Sequence, residues 1–199
     1  MMQFAAVILA GGQSSRMGRD KALIKIQGIS LLEKICLLAR KCTDRVYIIT
    51  PWVEKYQKIV PTNCQILQEV SSPEDSQPHG PLIGFAQALT HLDTDWILLL
   101  ACDLPNLTAS EIQKWSSFLE IVPPEAIALL PKSPQGWEPL CGFYRRSCLP
   151  LLNEYISQGG RSFQQWLENS IVQELPVSDR HLLFNCNTPA DLEQIKGLF

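Results

Sequence analysis

Along the chain, short unbroken apolar runs alternate with stretches whose apolar residues recur every three or four positions. Six runs read as strands: Phe4–Ala10, Arg45–Thr50, Gln65–Glu69, Trp96–Ala101, Ala126–Leu130 and Leu140–Arg145. Most are continuously apolar rather than alternating, the pattern of strands covered on both faces. Helix starts lie between them. Ser30-Leu-Leu-Glu33 has the form of a capping box, and Leu31, Ile35, Leu38 and Ala39 form the apolar stripe of the helix it opens. Thr108-Ala-Ser-Glu111 repeats the device ahead of Ile112, Trp115 and Leu119. Thr188-Pro-Ala-Asp191 sets a cap, a first-turn proline and a first-turn acid in the favoured order. A further helix is predicted over Leu82–Leu92, and others between Leu149 and Leu167. This alternation predicts an α/β fold with a mostly parallel sheet and helices on both faces. Ligands of such sheets bind beyond the carboxyl ends of the strands. Pro73, Pro78 and Pro81 make residues 70–81 an irregular loop, and Pro123-Pro124 marks another turn. No repeat, low-complexity tract or linker divides the sequence, so one domain over residues 1–199 is expected.

Composition narrows the function classes. With 46% hydrophobic residues and five Trp among 199 residues, the chain can bury a full core and is not a disordered segment. Seventeen Lys and Arg against twenty Asp and Glu give a net charge of −3, without the cation excess that coating a nucleic acid demands. The apolar run Phe4–Ala10 is far shorter than the ~20 residues that cross a bilayer. Its first basic residue, Arg16, follows the run, the reverse of a secretory leader. No nucleic-acid or membrane partner is therefore expected. Seven cysteines at 36, 42, 64, 102, 141, 148 and 186 contain no C-x-x-C pair and read as reduced, mostly buried thiols of a cytoplasmic protein. His79, His91 and His181 have no zinc-like spacing, and Trp52, Trp115 and Trp166 read as packing residues.

The chemistry concentrates after the first strand, in Leu9-Ala-Gly-Gly-Gln-Ser-Ser-Arg-Met-Gly-Arg-Asp-Lys21. Glycines let a backbone approach an anion closely, and their N–H groups can form an anion-binding concavity. Arg16 and Lys21 can neutralise phosphate oxygens, Arg as a fork and Lys as a point charge. The alternative is an ordinary Gly-Gly turn whose charges face water. Lys21 lies three residues after Gly18 and precedes Ala22, which fits neither G-x-x-x-x-G-K-[ST] nor G-x-G-x-x-G. Asp103 ends the most apolar strand. An acid there is costly to bury unless paired, hydrogen-bonded or metal-bound, although it could equally cap the Asp-Leu-Pro turn.

Four ordered segments together resemble the molybdenum cofactor guanylyltransferase family. The first string is similar to that family's L-A-G-G-x-S-x-R-M-G-x-D-K signature. Gly80-Pro-Leu-Ile-Gly84 resembles its G-P-L-x-G, and Ala101-Cys-Asp-Leu-Pro105 its acidic motif. Asn185-Cys-Asn-Thr-Pro-Ala-Asp-Leu192 resembles its N-x-N-T-P-x-[DE]-L. The likeness spans residues 5–192; the first motif alone is shared with cytidylyl- and sugar-phosphate nucleotidyltransferases.

The resemblance implies a three-layer, Rossmann-like α/β/α fold of the nucleotide-diphospho-sugar transferase type, nucleotide-binding in its N-terminal part and acceptor-binding in its C-terminal part. It implies transfer of GMP from GTP to the terminal phosphate of molybdopterin, or of its molybdenum-loaded form, with release of pyrophosphate. Asp103 would hold Mg²⁺ or Mn²⁺, and Lys21 and Arg16 would stabilise charge on the pyrophosphate. Leu9, Ala10, Gly11 and Gly12 would cradle the nucleotide. Gly80, Gly84, Arg161, Asn185 and Asn187 would serve the acceptor. Gly84 could instead allow tight helix packing, Arg161 could be a solvated loop residue, and Asn185 could simply end a strand. Cofactor-insertion and molybdenum-loading proteins would be partners. The chain departs from the family after its third strand, where Gln68-Glu69-Val70 makes Glu69 the nearest substitute for a nucleotide-contacting Asp. It also lacks an equivalent of a nucleotide-contacting Asn near Thr50. The rivals are a molybdopterin cytidylyltransferase, disfavoured by Leu-Ala-Gly-Gly and Gly-Pro-Leu, and another small-molecule nucleotidyltransferase, disfavoured by Asn-Cys-Asn-Thr-Pro. A non-enzymatic nucleotide-binding regulator on the same fold is a further alternative, against which Lys21 and Asp103 speak.

Overall fold

The computed structural model describes residues 2–11, 20–70, 80–186 and 188–196, without the side chains of 189 and 194–196. Most of the loop predicted over 70–81 therefore lies outside the described residues. In chain order the elements are β1 (Phe4–Leu9), β2 (Lys25–Ile26), β3 (Ile29–Ser30), α1 (Leu31–Arg40), β4 (Val46–Thr50), α2 (Val53–Tyr56), β5 (Gln65–Gln68), α3 (Pro81–Thr90) and β6 (Trp96–Ala101). They continue with α4 (Ala109–Ser116), β7 (Ala128–Leu130), β8 (Lys132–Ser133), β9 (Gly136–Trp137), β10 (Cys141–Arg145), α5 (Leu149–Ser157), α6 (Phe163–Glu168), β11 (Val172–Glu174) and α7 (Pro189–Lys196).

Seven strands form one sheet in the order β11-β7-β10-β6-β1-β4-β5. Only β10 runs against its neighbours, pairing antiparallel with both β6 and β7. All six strands predicted from sequence are present, and the expectation of a mostly parallel sheet holds. The predicted helices form where their caps sit: Ser30 and Thr108 accept from the N–H groups of Glu33 and Glu111. Thr188 and Asp191 cap each other reciprocally, at 3.2 and 2.7 Å. The β2–β3 hairpin turns through Gln27 and Gly28, at φ 54° and 84°, the left-handed pair of a two-residue turn.

The core lies on both faces of the sheet because successive strand residues point to opposite sides. Ala6, Ile8, Trp96, Leu98 and Leu100 face α1 and α4, with Leu32, Ile35, Ile112 and Trp115. Ala5, Val7, Ile97 and Leu99 face α3, α5 and α6, with Leu82, Phe85, Leu152 and Trp166. The result is the three-layer α/β/α arrangement. Trp115 and Trp166 are core residues as expected, but Trp52 is not: it is 38% exposed, and the Lys55 ammonium rests 4.9 Å from its ring. All seven cysteines are free thiols, four of them buried. Among the described residues no helix is long and apolar enough to cross a membrane.

Gly142, in the middle of β10, is a position where only glycine fits. A methyl group there would lie 2.7 Å from Leu130 Cδ2 and 2.8 Å from the Leu129 carbonyl. Gly142→Ala is expected to lower unfolding stability by about 1–3 kcal/mol through overpacking, seen as a lower denaturant midpoint at unchanged slope.

Candidate active site

The site is built by strand ends. β1 and β6 pair in parallel with Leu9 opposite Ala101, so the chain leaves the sheet at neighbouring points, toward Gly11 in one case and Asp103 in the other. Around them opens a cavity of about 410 Å³. Lys21 returns to this point on a short 3-10 turn, Lys21–Leu23, and its Nζ lies 3.3 Å from Asp103 Oδ2. The two side chains are 19% and 15% exposed, a largely desolvated ion pair.

Asp20, which sequence reasoning passed over although it stands in the first motif, fixes that turn. Its Oδ1 accepts from the Ala22 N–H at 3.0 Å, while Oδ2 accepts from the Tyr56 hydroxyl at 2.7 Å and pairs with the Lys55 ammonium. Hydrogen bonds to a charged group of this kind are each worth about 1.5–3 kcal/mol. Burial, then the bond to Asp20, pushes the Tyr56 phenol up, so it stays a donor at all ordinary pH. Tyr56 is 1% exposed and anchors α2 beneath the cavity.

Glu69 stands just past β5. Its N–H donates to the Thr50 carbonyl at 2.8 Å, extending the β4–β5 pairing, and the Gln87 amide of α3 engages both backbone groups of Val70. The carboxylate enters the cavity between two glycines: a Cβ at Gly11 or at Gly84 would lie 3.3 Å from its Oε2. At Gly84 the close neighbour is thus the Glu69 side chain. Gly80 caps α3 and lines the same cavity.

The C-terminal motif docks on the acidic one. The Cys186 N–H donates to the Asp103 carbonyl at 3.0 Å, and the Cys186 side chain is buried against Ile24, Ile26, Leu31 and Leu192. That anchorage leaves Asn185 in the cavity wall. Leu9, Ala10, Gly11, Lys21, Glu69, Gly80, Gly84, Asp103 and Asn185 are thus all brought to one cavity. Gly12, Arg16 and Asn187 lie outside the described residues. Arg161, an exposed residue, stands apart from that group. Its guanidinium donates to the carbonyls of Ile156 and Gly160 at 3.0 and 2.8 Å, closing the end of α5, and it does not line the cavity. Glu138, absent from the sequence expectations, does line it, because the antiparallel β10 begins where its neighbours end. Cys102 also lines the cavity, but burial, then the charge of Asp103, pushes its thiol up to about 12, so it is no nucleophile.

Among the described residues no group of three or more His, Cys, Asp and Glu could hold a metal ion. A lone carboxylate such as Asp103 suits Mg²⁺, which takes one or two carboxylates and fills its shell with phosphates and water.

A mostly parallel sheet with Gly11, Lys21 and Asp103 gathered at its strand ends is the architecture of a nucleotidyltransferase. The chain belongs to the MobA-like NTP transferase family, whose domain matches residues 6–173. It is 54% identical over 199 residues to a probable molybdenum cofactor guanylyltransferase of Nostoc sp. strain PCC 7120, covering 100% of this chain and 93% of that one. It is 30% identical to the molybdenum cofactor guanylyltransferase of Vibrio cholerae, over 96% of this chain and 91% of that one. The crystal structure of molybdopterin-guanine dinucleotide biosynthesis protein A from Archaeoglobus fulgidus superposes with a TM-score of 0.79 at 22% identity, covering 98% and 97% of the two chains.

Two expectations follow. Tyr56→Phe keeps the buried ring and removes one donor from Asp20; it should cost about 1–3 kcal/mol in denaturant unfolding. Second, Cys64 alone among the seven thiols is pushed down, first by the hydrogen bond from the Cys36 thiol and then, against its burial, by the Arg40 charge; Cys36 itself is pushed up. A lower thiol pKa means more thiolate at a given pH, so limited iodoacetamide at pH 8, mapped by mass spectrometry, should label Cys64 first and the buried, upward-shifted Cys36, Cys141 and Cys148 last.

Proposed function

We propose that this chain transfers GMP from GTP to the terminal phosphate of molybdopterin, forming the guanine dinucleotide cofactor and releasing pyrophosphate. The observation that carries the reading is the Lys21–Asp103 pair, set in the cavity beside Leu9–Gly11 at the ends of adjacent parallel strands. The relatives at 54% and 46% identity, named as molybdenum cofactor guanylyltransferases, support the choice of nucleotide and acceptor.

An oxygen of the acceptor phosphate attacks the α-phosphorus of GTP, the bond to the bridging oxygen toward the β-phosphorus breaks, and pyrophosphate leaves with that electron pair. The acceptor needs no strong base, since a phosphate monoester with a second pKa of about 6 is already ionised near neutral pH. The protein's work is positioning and charge neutralisation. Lys21 takes phosphate oxygens of the leaving group, joined by Arg16 from the glycine-rich loop. The backbone of Leu9–Gly12 cradles the nucleotide, and Glu69, wedged between Gly11 and Gly84, offers acceptors to ribose hydroxyls or to the base edge. Asp103 would hold Mg²⁺ or Mn²⁺ with the triphosphate, and the ion would supply charge neutralisation at the phosphates. Asn185 and Asn187 serve the acceptor. The reaction belongs to the cytoplasm, and proteins that load molybdenum or insert the finished cofactor would exchange ligands with this one.

Purified protein given GTP, Mg²⁺ and molybdopterin should release pyrophosphate and form the guanine dinucleotide. Turnover with CTP but not GTP would overturn the guanine assignment. Asp103→Asn should reduce turnover by roughly 10²–10³-fold, the loss typical of removing one preorganised charge from a transition state. Retention of full GMP transfer by that variant would refute the role given to Asp103.

A further inference from the structure

A second cavity, of about 380 Å³, adjoins the first and shares Glu138 and Leu183 with it. Two chain segments line both. Lys132 faces the second cavity and Cys141 the first, with Glu138 between; Arg180 faces the second and Asn185 the first, with Leu183 between. The second cavity lies at the ends of β7 and β11, the strands outward from β10, and Glu174 and Pro176 complete its wall.

This wall is held in place. The β8–β9 hairpin pairs Lys132 with Trp137 and Ser133 with Gly136. Gln164 of α6 clamps it, accepting from the Trp137 N–H at 3.1 Å and donating to the Trp137 carbonyl. Gly136, at φ 125°, is the residue that lets the clamp close, since a Cβ there would lie 2.8 Å from Gln164 Oε1. On the other side the Leu175 N–H donates to the Leu130 carbonyl at 2.8 Å, fixing the exit of β11 against β7.

Sheet order gives the cavity a direction. Phosphoryl-type transfer requires the attacking and leaving oxygens roughly in line across the reacting phosphorus. Asp103 ends β6, which lies between β1 and β10. Gly11, where the chain leaves β1, is on the β1 side, so in the proposed reaction the triphosphate and its leaving pyrophosphate occupy that side. The attacking phosphate then arrives from the β10 side, past Glu138, and the remainder of the acceptor extends outward over β7 and β11.

We propose that the second cavity binds the heterocyclic end of the acceptor, a pterin, during the reaction proposed above, on which this inference rests. A pterin presents an amide-and-amine edge rich in N–H donors, for which the carboxylates of Glu138 and Glu174 are matched acceptors. Its flat ring suits the apolar surfaces of Pro176 and Leu183. Arg180 meets the ring carbonyl or an anionic substituent.

The probe is a phosphate-free pterin, followed by its fluorescence, with GTP binding measured in parallel. The wild-type protein should bind the pterin whether or not GTP is present. Arg180→Ala should weaken pterin binding by about tenfold and raise the KM for molybdopterin by a similar factor. Its GTP affinity should not change, which also shows that the variant is folded. Arg180→Lys should recover part of the loss. Displacement of the pterin by GTP, or Arg180→Ala behaving as wild type toward both pterin and molybdopterin, would overturn the proposal. Wild-type protein that binds the pterin in the Arg180-dependent manner yet forms no dinucleotide would leave the cavity standing and overturn the guanylyl-transfer reading instead.

Discussion

The in-register pairing of β1 with β6 fixes how Gly11 and Asp103 stand to one another at the edge of the cavity. Six residue pairs, from Phe4 with Trp96 to Leu9 with Ala101, lock the two strands together. Both are buried on both faces, with Trp96, Leu98 and Leu100 in one core layer and Ile97 and Leu99 in the other. A slip of one residue would turn every one of those side chains into the wrong layer. The offset between the glycine turn and Asp103 is therefore set by the whole hydrophobic core. Core packing and site geometry are one constraint, and this is why a carboxylate can stand largely desolvated at the end of the most apolar strand without misplacing the lysine that pairs with it.

The second requirement is charge. Asp20, Glu69, Asp103 and Glu138 all line the cavity, a poor setting for a polyphosphate unless the acids are balanced. Two of them are visibly compensated: Asp103 by Lys21, and Asp20 by Lys55 and the Tyr56 hydroxyl. The whole chain carries a net charge of −3, yet Arg16, Arg19 and Lys21 stand within six positions of one another. A slightly acidic protein can bind a nucleotide because the field that matters is local; total charge governs solubility and long-range association instead. The Asp20 clamp has a consequence for this balance: the acid next to Lys21 in sequence is engaged by the Ala22 N–H, the Tyr56 hydroxyl and the Lys55 ammonium, while Lys21 pairs with Asp103.

Much of this was legible in the sequence. The six longer strands announced themselves as continuous apolar runs, and Ser30, Thr108 and Thr188 announced helix starts by the same hydrogen-bonding chemistry that caps them in the structure. Gly11, Lys21, Asp103 and Asn185 were singled out by motif spacing, and the fold brings all four to one cavity. What escaped was set by tertiary structure. β11 spans three residues and the strands of the two hairpins two each, too short to carry a period. The direction of β10 leaves no trace in its composition, and that reversal alone brings Glu138 to the site. Arg161, weighed from sequence as an acceptor contact or a solvated loop residue, is exposed and donates to the carbonyls at the end of α5, a bond that only the tertiary structure shows.

The division of labour across the sheet explains how one fold can serve several chemistries. The crystal structure of 4-diphosphocytidyl-2C-methyl-D-erythritol synthase from Anaerococcus prevotii superposes with a TM-score of 0.72 at only 11% identity, a likeness of fold alone. Backbone architecture at that level of identity says nothing about which base or acceptor is taken. In the present chain the β1–β6 pairing sets Gly11 and Asp103 side by side, where the proposed reaction puts the phosphorus. Neighbouring elements on the β4 and β5 side bring Glu69 between its two glycines, and those on the β10, β7 and β11 side bring Glu138, the hairpin and Arg180. With the line of attack proposed above, nucleotide choice and acceptor choice fall on opposite sides of β6. Each can change by side-chain substitution without disturbing the strand pair on which the transfer depends.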